Sequence, residues 1–278
     1  MEIRKENRPW ILVRGAGDLA TGTILRLYRC GFRVVVTECA APSAIRRKAA
    51  FCEAVYTDSA QVEGVTCRKI QFPRDADTVS QVGEIPLLID ETLTCLKALS
   101  PAAVIDAILA KKNLGTRREM APITIGLGPG FTAGEDVDAV IETMRGHHLG
   151  KVILSGSAIP NTGIPGVIGG YAAERVIHAP GTGPMIYMPG TDIGSLVKKG
   201  QILARVGDVP VYATLDGVLR GLIREGFPVK KGLKIADIDP RPEQVHCCDT
   251  VSDKSRAIGG GSVEALLFLA AQKGISLL

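Results

Sequence analysis

The chain has 278 residues, of which 46% are hydrophobic and 22% charged, enough apolar material for one large core or two modest ones. Thirty-two glycines against 4% aromatic residues suit tight strand-to-helix turns packed by Val, Ile, Leu and Ala, the texture of an α/β protein. The net charge of +4 is spread along the chain rather than gathered into the dense basic stripe that DNA or RNA requires, so no nucleic-acid partner is expected.

In chain order, Trp10-Ile-Leu-Val is an apolar strand followed by Gly15-Ala-Gly-Asp-Leu-Ala20 and a helical pattern with Leu19, Ile24 and Leu27 on one face. Gly31 stops that helix, and Phe32 to Thr37 forms a second β-branched run ending at Glu38, which gives the length of a βαβ unit. Leu87 to Ile89, Ala103 to Ile105 and Ile123 to Leu127 read as further parallel strands, separated by stretches of helical composition such as Thr92 to Leu99. That alternation predicts a doubly wound sheet.

From Pro180 to about Asp239 the texture changes to short apolar runs among many Gly and Pro residues. An internal repeat lies there: Val197-Lys-Lys-Gly-Gln-Ile-Leu-Ala204 matches Val229-Lys-Lys-Gly-Leu-Lys-Ile-Ala236. Two similar hairpins facing each other would make a small barrel-sandwich, because neither buries its apolar face alone. Further on, Gly259-Gly-Gly-Ser262 leads into a predicted helix over Val263 to Lys273, with Ser262 as N-cap and Gly274 as C-cap. The expected organisation is a Rossmann-like α/β domain over 1–179, a barrel-sandwich-like β module over 180–240, and a segment over 241–278 whose helix returns to the α/β domain.

The longest apolar stretch, Ala265 to Ala271, is too short to cross a bilayer, and the opening Met-Glu-Ile-Arg-Lys-Glu lacks the apolar core of a signal peptide. Seven cysteines without Cys-x-x-Cys spacing argue for reduced thiols and give no zinc or other metal site. The expectation is a cytoplasmic protein with no membrane partner.

Chemistry concentrates in two glycine-rich loops. Gly15-x-Gly17-x-x-Ala20 lies between a strand and a helix, where glycines permit close backbone approach and the helix N-terminus offers amides to an anion. Glu38 stands 21 residues after Gly17, where such folds place an acid that accepts from ribose hydroxyls. Asp18 suits the helix dipole yet repels a pyrophosphate at the same place, so it is read either as a cap or as a ligand contact that departs from an ordinary NAD site. The second loop, Gly126-Leu-Gly-Pro-Gly-Phe-Thr-Ala-Gly134, follows a strand and can form an anion nest, with Gly128, Gly130 and Gly134 as its candidates. No Gly-Lys-Ser/Thr follows, so it is not a Walker A loop. Arg145 and His147, at the end of a segment over Val137 to Met144, would bring positive donors near that loop, whereas the adjacent His148 reads as a surface residue. Ser155 to Gly166 is a turn-rich stretch able to line the same cleft, and His178 reads as structural. Cys39 would sit at the carboxyl edge of the second strand, where a thiol touches a bound ligand and could accept sulfur or selenium. Adjacent Cys247 and Cys248 disfavour a mutual disulfide.

Four stretches, Arg14-Gly-Ala-Gly-Asp-Leu-Ala-Thr-Gly, Gly126-Leu-Gly-Pro-Gly-Phe-Thr-Ala-Gly, Ile141-Glu-Thr-Met-Arg-Gly-His and Lys234-Ile-Ala-Asp-Ile-Asp-Pro-Arg, together resemble the selenium-dependent molybdenum hydroxylase system accessory family, over nearly the whole chain. Looser similarity runs to the xanthine dehydrogenase accessory proteins, which handle molybdenum cofactor before its insertion into the apo-hydroxylase. The resemblance implies a maturation factor that binds molybdenum cofactor, or a pterin- or nucleotide-like relative, and meets a molybdenum hydroxylase apo-enzyme and a selenium- or sulfur-donor protein. It assigns no catalytic residue. The repeat region resembles biotinyl or lipoyl modules with Ala213-Thr-Leu-Asp-Gly217 between halves, but it has no Met-Lys-Met triplet for a swinging arm and reads as a docking element. The competing reading is an NAD(P)-dependent oxidoreductase, against which stands the lack of an evident proton-transfer pair after the first glycine turn.

Overall fold

Five consecutive buried residues, Trp10–Arg14, form the strand β1 at the middle of a nine-stranded sheet in the computed structural model, which describes residues 8–163 and 166–278. The opening hexapeptide and the Ile164-Pro165 pair of the Ser155 to Gly166 stretch lie outside the described residues. The chain forms two compact units, one comprising the residues up to Pro42, Ala50–Asn161 and Val251–Leu278, the other Ser43–Ala49 and Thr162–Thr250.

In the first unit, β1 passes through Gly15-Ala-Gly17 into α1 (Asp18–Arg29) and returns as β2 (Arg33–Glu38). Next come α2 (Ala54–Thr57), β3 (Ser59–Val62), β4 (Val65–Ile70), α3 (Ala76–Gln81), β5 (Ile85–Ile89), α4 (Leu96–Leu99) and β6 (Ala103–Asp106). The last strands are β7 (Ile123–Leu127), β8 (Thr132–Ala133), β9 (Ala139–Ile141), β10 (Val152–Ile153) and β11 (Gly156–Ser157), with β8 and β11 forming a ribbon of their own. The large sheet is mixed. Its strands β4-β5-β2-β1-β6-β7-β9 run parallel, while β3 and β10 close its edges antiparallel. The chain steps outward from β1 to β2, then resumes on the other side of β1 with β6, so the carboxyl ends of β1 and β6 flank the point where strand order reverses.

Trp10 and Leu12 of β1 pack with Val35, Leu88 and Val104 against Ala76 and Val79 of α3 and Leu99 of α4, while Ile11 and Val13, alternating with them, are buried on the other face. Thr92 to Leu99, expected as helical, contains only the single turn α4, because Asp90 caps the preceding turn by accepting from the Thr94 and Cys95 amides at 3.0 and 2.8 Å.

The C-terminal helix α5 (Asp253–Lys273) lies along α1 and against β7, β9 and β10. It begins ten residues earlier than the sequence pattern suggests, with Ser252 rather than Ser262 as N-cap, accepting from Ser255 N at 3.1 Å. Gly259-Gly-Gly is therefore helix interior, and Ser262 turns its hydroxyl inward to Ile258 O at 2.9 Å. Such weak helix formers are kept because α1 and α5 touch backbone to backbone: a Cβ on Gly259 would stand 2.7 Å from Gly22 O, and one on Gly22 would stand 2.6 Å from Ser255. Gly274, with φ +64, caps the helix as expected.

The second unit contains β12 (Val176–His178), β13 (Gly183–Tyr187), β14 (Leu196–Val197), β15 (Ile202–Val206), β16 (Val209–Tyr212), β17 (Gly217–Leu222), β18 (Pro228–Val229) and β19 (Lys234–Asp239). They form two antiparallel sheets, ordered β12-β19-β17-β14 and β16-β15-β13-β18. Exchanging β12 with β16, β13 with β17, β14 with β18 and β15 with β19 converts one order into the other, so the duplication spans the whole unit. Its local bonds repeat as well. Lys199 N donates to Asp216 Oδ1 at 2.8 Å where Lys231 N donates to Thr182 Oγ1 at 3.0 Å, and Gly200 N reaches Ala213 O at 2.8 Å where Gly232 N reaches Ala179 O at 2.9 Å. The repeat does not make two hairpins facing each other, as its sequence suggests. Each Val-Lys-Lys-Gly copy carries the chain from one sheet to the other, and both sheets close on one core with Met185, Leu203, Val218, Leu222 and Ile235. The unit also extends past the expected border at Pro180. Strand β12 pairs with β19, Arg175 is ion-paired to Asp237 at 3.1 Å in the interior, and Ile45 O accepts from Leu222 N at 2.8 Å.

The three glycines of α5 give a test with two signs. Gly259→Ala should destabilise by about 1 to 3 kcal/mol through overpacking, whereas Gly260→Ala, whose Cβ meets nothing within 4 Å, should stabilise by roughly 0.5 to 1 kcal/mol through helix propensity. Thermal melts of both variants check the helix contact, and equal shifts would contradict it.

Candidate functional site

Three strands of the parallel sheet end on polar residues at one edge: β1 on Arg14, β2 on Thr37 and Glu38, and β6 on Asp106. Gly15 turns the chain there with φ +99, and a Cβ at this position would stand 3.0 Å from the Ala107 and Ile108 backbone, so the turn requires glycine on both counts. Its amide donates to Thr37 O at 2.7 Å. The next amide, Ala16 N, donates to Glu38 Oε2 at 2.7 Å, while Cys39 N donates to Oε1 at 2.8 Å. The carboxylate at the end of β2 thus bridges the glycine turn and its own strand.

Arg14 is buried, and its guanidinium joins separate loops. Nη1 donates to Thr116 Oγ1 at 2.9 Å and to Asp106 Oδ2 at 3.3 Å, while Nη2 donates to Glu91 O at 2.9 Å and Leu114 O at 3.1 Å. Thr116 in turn donates to Asp106 Oδ2 at 2.6 Å. These bonds hold the loops after β5 and β6 around a cavity of about 600 Å³. Leu93, Ile108, Leu114 and Met120 supply its apolar wall. Glu38, Asp90, Glu91, Arg14 and Arg117 supply its charges. Burial opposes the ionised Asp90, but the Cys95 and Thr94 amides overcome it and hold the carboxyl below its ordinary range.

Two polar atoms of residues that line this cavity, Arg14 Nε and Thr37 Oγ1, are themselves buried and have no hydrogen-bond partner, on residues only 8% and 1% exposed.

The residues expected from sequence divide around this site. Gly15, Glu38 and Cys39 line the cavity. Gly17 is the N-cap of α1 with nothing within 4 Å of where a Cβ would lie, so the space over the helix start is open. Asp18 begins α1, half-buried, with its backbone oxygen accepting from Ser255 Oγ at 3.2 Å. The Gly126 to Gly134 loop does not line the cavity. A Cβ on Gly128 would stand 2.6 Å from Thr143 Oγ1, one on Gly130 (φ +111) 2.6 Å from the Lys112 backbone, and Gly134 O accepts from Arg118 at 2.8 Å. At these positions the loop packs closely on Thr143 and Lys112. Arg145 is engaged by Asp253 at 2.8 and 3.1 Å, and His147 is exposed with its ring edge-on to His148, centroids 5.1 Å apart. Among the described residues, no group of three or more His, Cys, Asp or Glu side chains is gathered for a metal ion, and no helix is long and apolar enough to cross a membrane. All seven cysteines are free thiols.

Arg14, Thr37, Asp106 and Thr116 were not singled out from the sequence. The available signal was that two apolar strands, Trp10-Ile-Leu-Val and Ala-Val-Ile105, are each closed by a charge, Arg14 and Asp106.

No family model matches the chain. It is 50% identical over 259 residues to the uncharacterized protein YqeB of Escherichia coli K12, an alignment covering 93% of this chain and 47% of YqeB. The chain thus spans about half the length of that relative. Among solved structures it superposes loosely on the product-bound ectoine utilization protein EutE (DoeB) of Ruegeria pomeroyi, with TM-score 0.23, 11% identity, and coverage of 83% of this chain and 85% of that one. The succinylglutamate desuccinylase/aspartoacylase of Rhodobacter sphaeroides gives TM-score 0.24 and 14% identity over the same shares. Superpositions this loose carry no inference about fold or chemistry.

Burial, and after it the Glu38 charge, push the Cys39 thiol up to about 12, so it is protonated at neutral pH and is not a ready nucleophile. Its alkylation by iodoacetamide should keep accelerating beyond pH 10, without the plateau near pH 9 of an ordinary thiol. A plateau there, followed by mass analysis of the Cys39 peptide, would show a freely ionising group.

Proposed function

We propose that this chain is a cytoplasmic accessory protein that binds molybdenum cofactor, or a related pterin- or nucleotide-like molecule, and aids its modification or insertion into a selenium-dependent molybdenum hydroxylase. The observation that carries this reading is the cavity at the carboxyl edge of β1, β2, β5 and β6, lined by Gly15, Glu38, Asp90, Glu91 and Arg117 with an apolar wall. The residues fit such a cargo. The Glu38, Asp90 and Glu91 carboxylates and the Arg117 guanidinium suit the polar edge of a heterocycle, the apolar wall suits its face, and the open start of α1 at Gly17 suits a phosphate.

Further support is the strand order β5-β2-β1-β6-β7-β9, that of a Rossmann-like unit whose ligands lie at the reversal point. The first of the four stretches behind the family resemblance runs from Arg14 through the start of α1, along this same edge. In this reading the first unit holds the cargo, and the duplicated β unit, a barrel-sandwich without a carrier lysine triplet, docks the apo-hydroxylase. In the same reading, sulfur or selenium comes from a donor protein.

An NAD(P)-dependent oxidoreductase is the second reading, favoured by Glu38 at the end of β2. Against it, the Ala16 amide that would meet a pyrophosphate is already taken by the Glu38 carboxylate.

Two variants test the site. Gly17→Val fills open space without a clash and should lower molybdenum cofactor binding, read by calorimetry or absorbance, with circular dichroism unchanged. Arg117→Ala removes an exposed cation from the lining, so it should leave stability within about 0.5 kcal/mol while weakening binding. Wild-type affinity in both folded variants would place the ligand elsewhere, and saturable NAD(P) binding without cofactor binding would favour the second reading.

A further inference from the structure

The two sheets of the duplicated unit are built alike but finished differently. Their positions correspond through the repeat. Arg205 follows Val197 to Ala204 as Asp237 follows Val229 to Ala236, and Ile186 stands three residues past Gly183 (φ +153) as Arg220 stands three past Gly217 (φ +156). In the sheet β12-β19-β17-β14, the unit's own chain covers the outer side. Arg175 lies on Asp237 at 3.1 Å, and Arg220 is 3.6 Å from the same carboxylate. Ile45 packs on Gly221, 3.2 Å from where a Cβ would lie, and the turn over Pro242–Cys247 lies against β17. Arg175 and Asp237 are consequently buried.

In the sheet β16-β15-β13-β18, the same side is bare. Ile186, Ile202 and Tyr212 are 45%, 38% and 49% exposed, alternating along their strands with Met185, Leu203 and Val211 of the core. Large apolar side chains grouped on one exposed face mark an interaction surface rather than a scatter of single residues. Arg205, the cross-strand neighbour of Ile186, is exposed among them. Its Nη2 donates to the Asp208 backbone oxygen at 2.9 Å, and among the described residues no carboxylate is ion-paired with it. The turns show the same imbalance. Asp216 accepts from Lys198 Nζ at 2.9 Å, but its counterpart is Thr182, so Lys230 and Lys231, just after the edge strand β18, have no ion-paired carboxylate among the described residues.

We infer that the bare face docks a segment of a partner protein that carries a carboxylate among apolar side chains. That carboxylate forms with Arg205 the ion pair that Arg175 forms with Asp237 on the sister sheet, with the signs exchanged, and the guanidinium fork suits it in two-point geometry. The apolar neighbours cover Ile186, Ile202 and Tyr212. A second copy of this chain is a poor occupant, because a twofold contact centred on the face would bring Arg205 toward its own equivalent. The inference rests on the proposed reading that this unit is the docking element. It goes further in naming the face and the chemistry that the face selects.

Short peptides alternating Val with Glu, or Val with Lys, should be titrated into the full chain and read by the amide chemical shifts of β13, β15 and β16. The acidic peptide should shift these strands and bind roughly tenfold or more tighter than the basic one. Arg205→Ala should weaken it roughly ten- to a hundredfold, as the loss of a charged hydrogen bond implies. Tyr212→Ser, at an exposed position, should weaken it with the melting temperature unchanged. In Arg205→Lys, a carbodiimide should link position 205 to the acidic peptide, a bond that the wild-type guanidinium does not form. Purified molybdenum hydroxylase apo-enzyme should lose affinity in Arg205→Ala as the peptide does. Equal affinity for the two peptides, or acidic-peptide binding unchanged in Arg205→Ala, would overturn the inference. So would phosphatidylserine vesicles or a second copy of the chain occupying these strands instead, or binding of neither the acidic peptide nor the apo-enzyme. Apo-enzyme that binds wild type and Arg205→Ala alike would overturn the face while leaving the accessory reading in place. An acidic peptide that behaves as expected while the apo-enzyme fails to bind would support the face and remove the hydroxylase as its partner.

Discussion

The buried guanidinium of Arg14 is the constraint around which the candidate site is arranged. A charge in the interior is tolerated only when paired and hydrogen-bonded, and Arg14 meets that demand with Asp106, Thr116 and two backbone carbonyls from different loops. The loops carrying Glu91 and Leu114 therefore cannot relax independently, since either departure strands part of a buried cation. The same side chain borders the cavity, with its Nε buried and without a partner. One side chain thus fixes the walls on both sides.

Much of this edge was legible in the sequence. Trp10 to Val13, the Gly15 turn, α1 and β2 followed from hydrophobic period and glycine placement, and Glu38 was expected where it stands. The second glycine loop lies away from this cavity, and its glycines show that the residue has two uses that look alike in a sequence. At Gly15 it lets the chain turn beside a cavity, and at Gly130 it lets one loop pack on another. The loop over 107–117, which supplies Ile108 and Leu114 to the apolar wall, gave no periodic signal because its hold on Arg14 rests on one backbone carbonyl, Leu114 O, and the Thr116 hydroxyl. Similarly, α5 was entered too late, since Gly259-Gly-Gly has a helix-breaking composition that only a close helix partner accounts for.

The duplicated unit was half legible for a related reason. Positions that any such repeat must keep, the Lys-Lys-Gly turns and their caps, remain visible as Val197 to Ala204 and Val229 to Ala236. Elsewhere the requirement is only for apolar residues on inward faces, which many sequences meet, so β12 and β16 or β13 and β17 correspond in pairing without matching in letters. An exchange of strands between sheets cannot be read from a matching pair of segments, because hairpins and interlocked repeats share the same local pattern.

Glu38 shows how the site can be ready for a ligand without depending on one for folding. In a turn that waits for a phosphate, backbone amides stay unpaired until it arrives, and the turn gains order on binding. Here the amides of Ala16 and Cys39 are already satisfied by one carboxylate, and that of Gly15 by Thr37 O. The turn is therefore complete in itself. Arg14 and Glu38 hold this edge together through bonds made within the protein, so its folding does not wait for a molecule in the cavity.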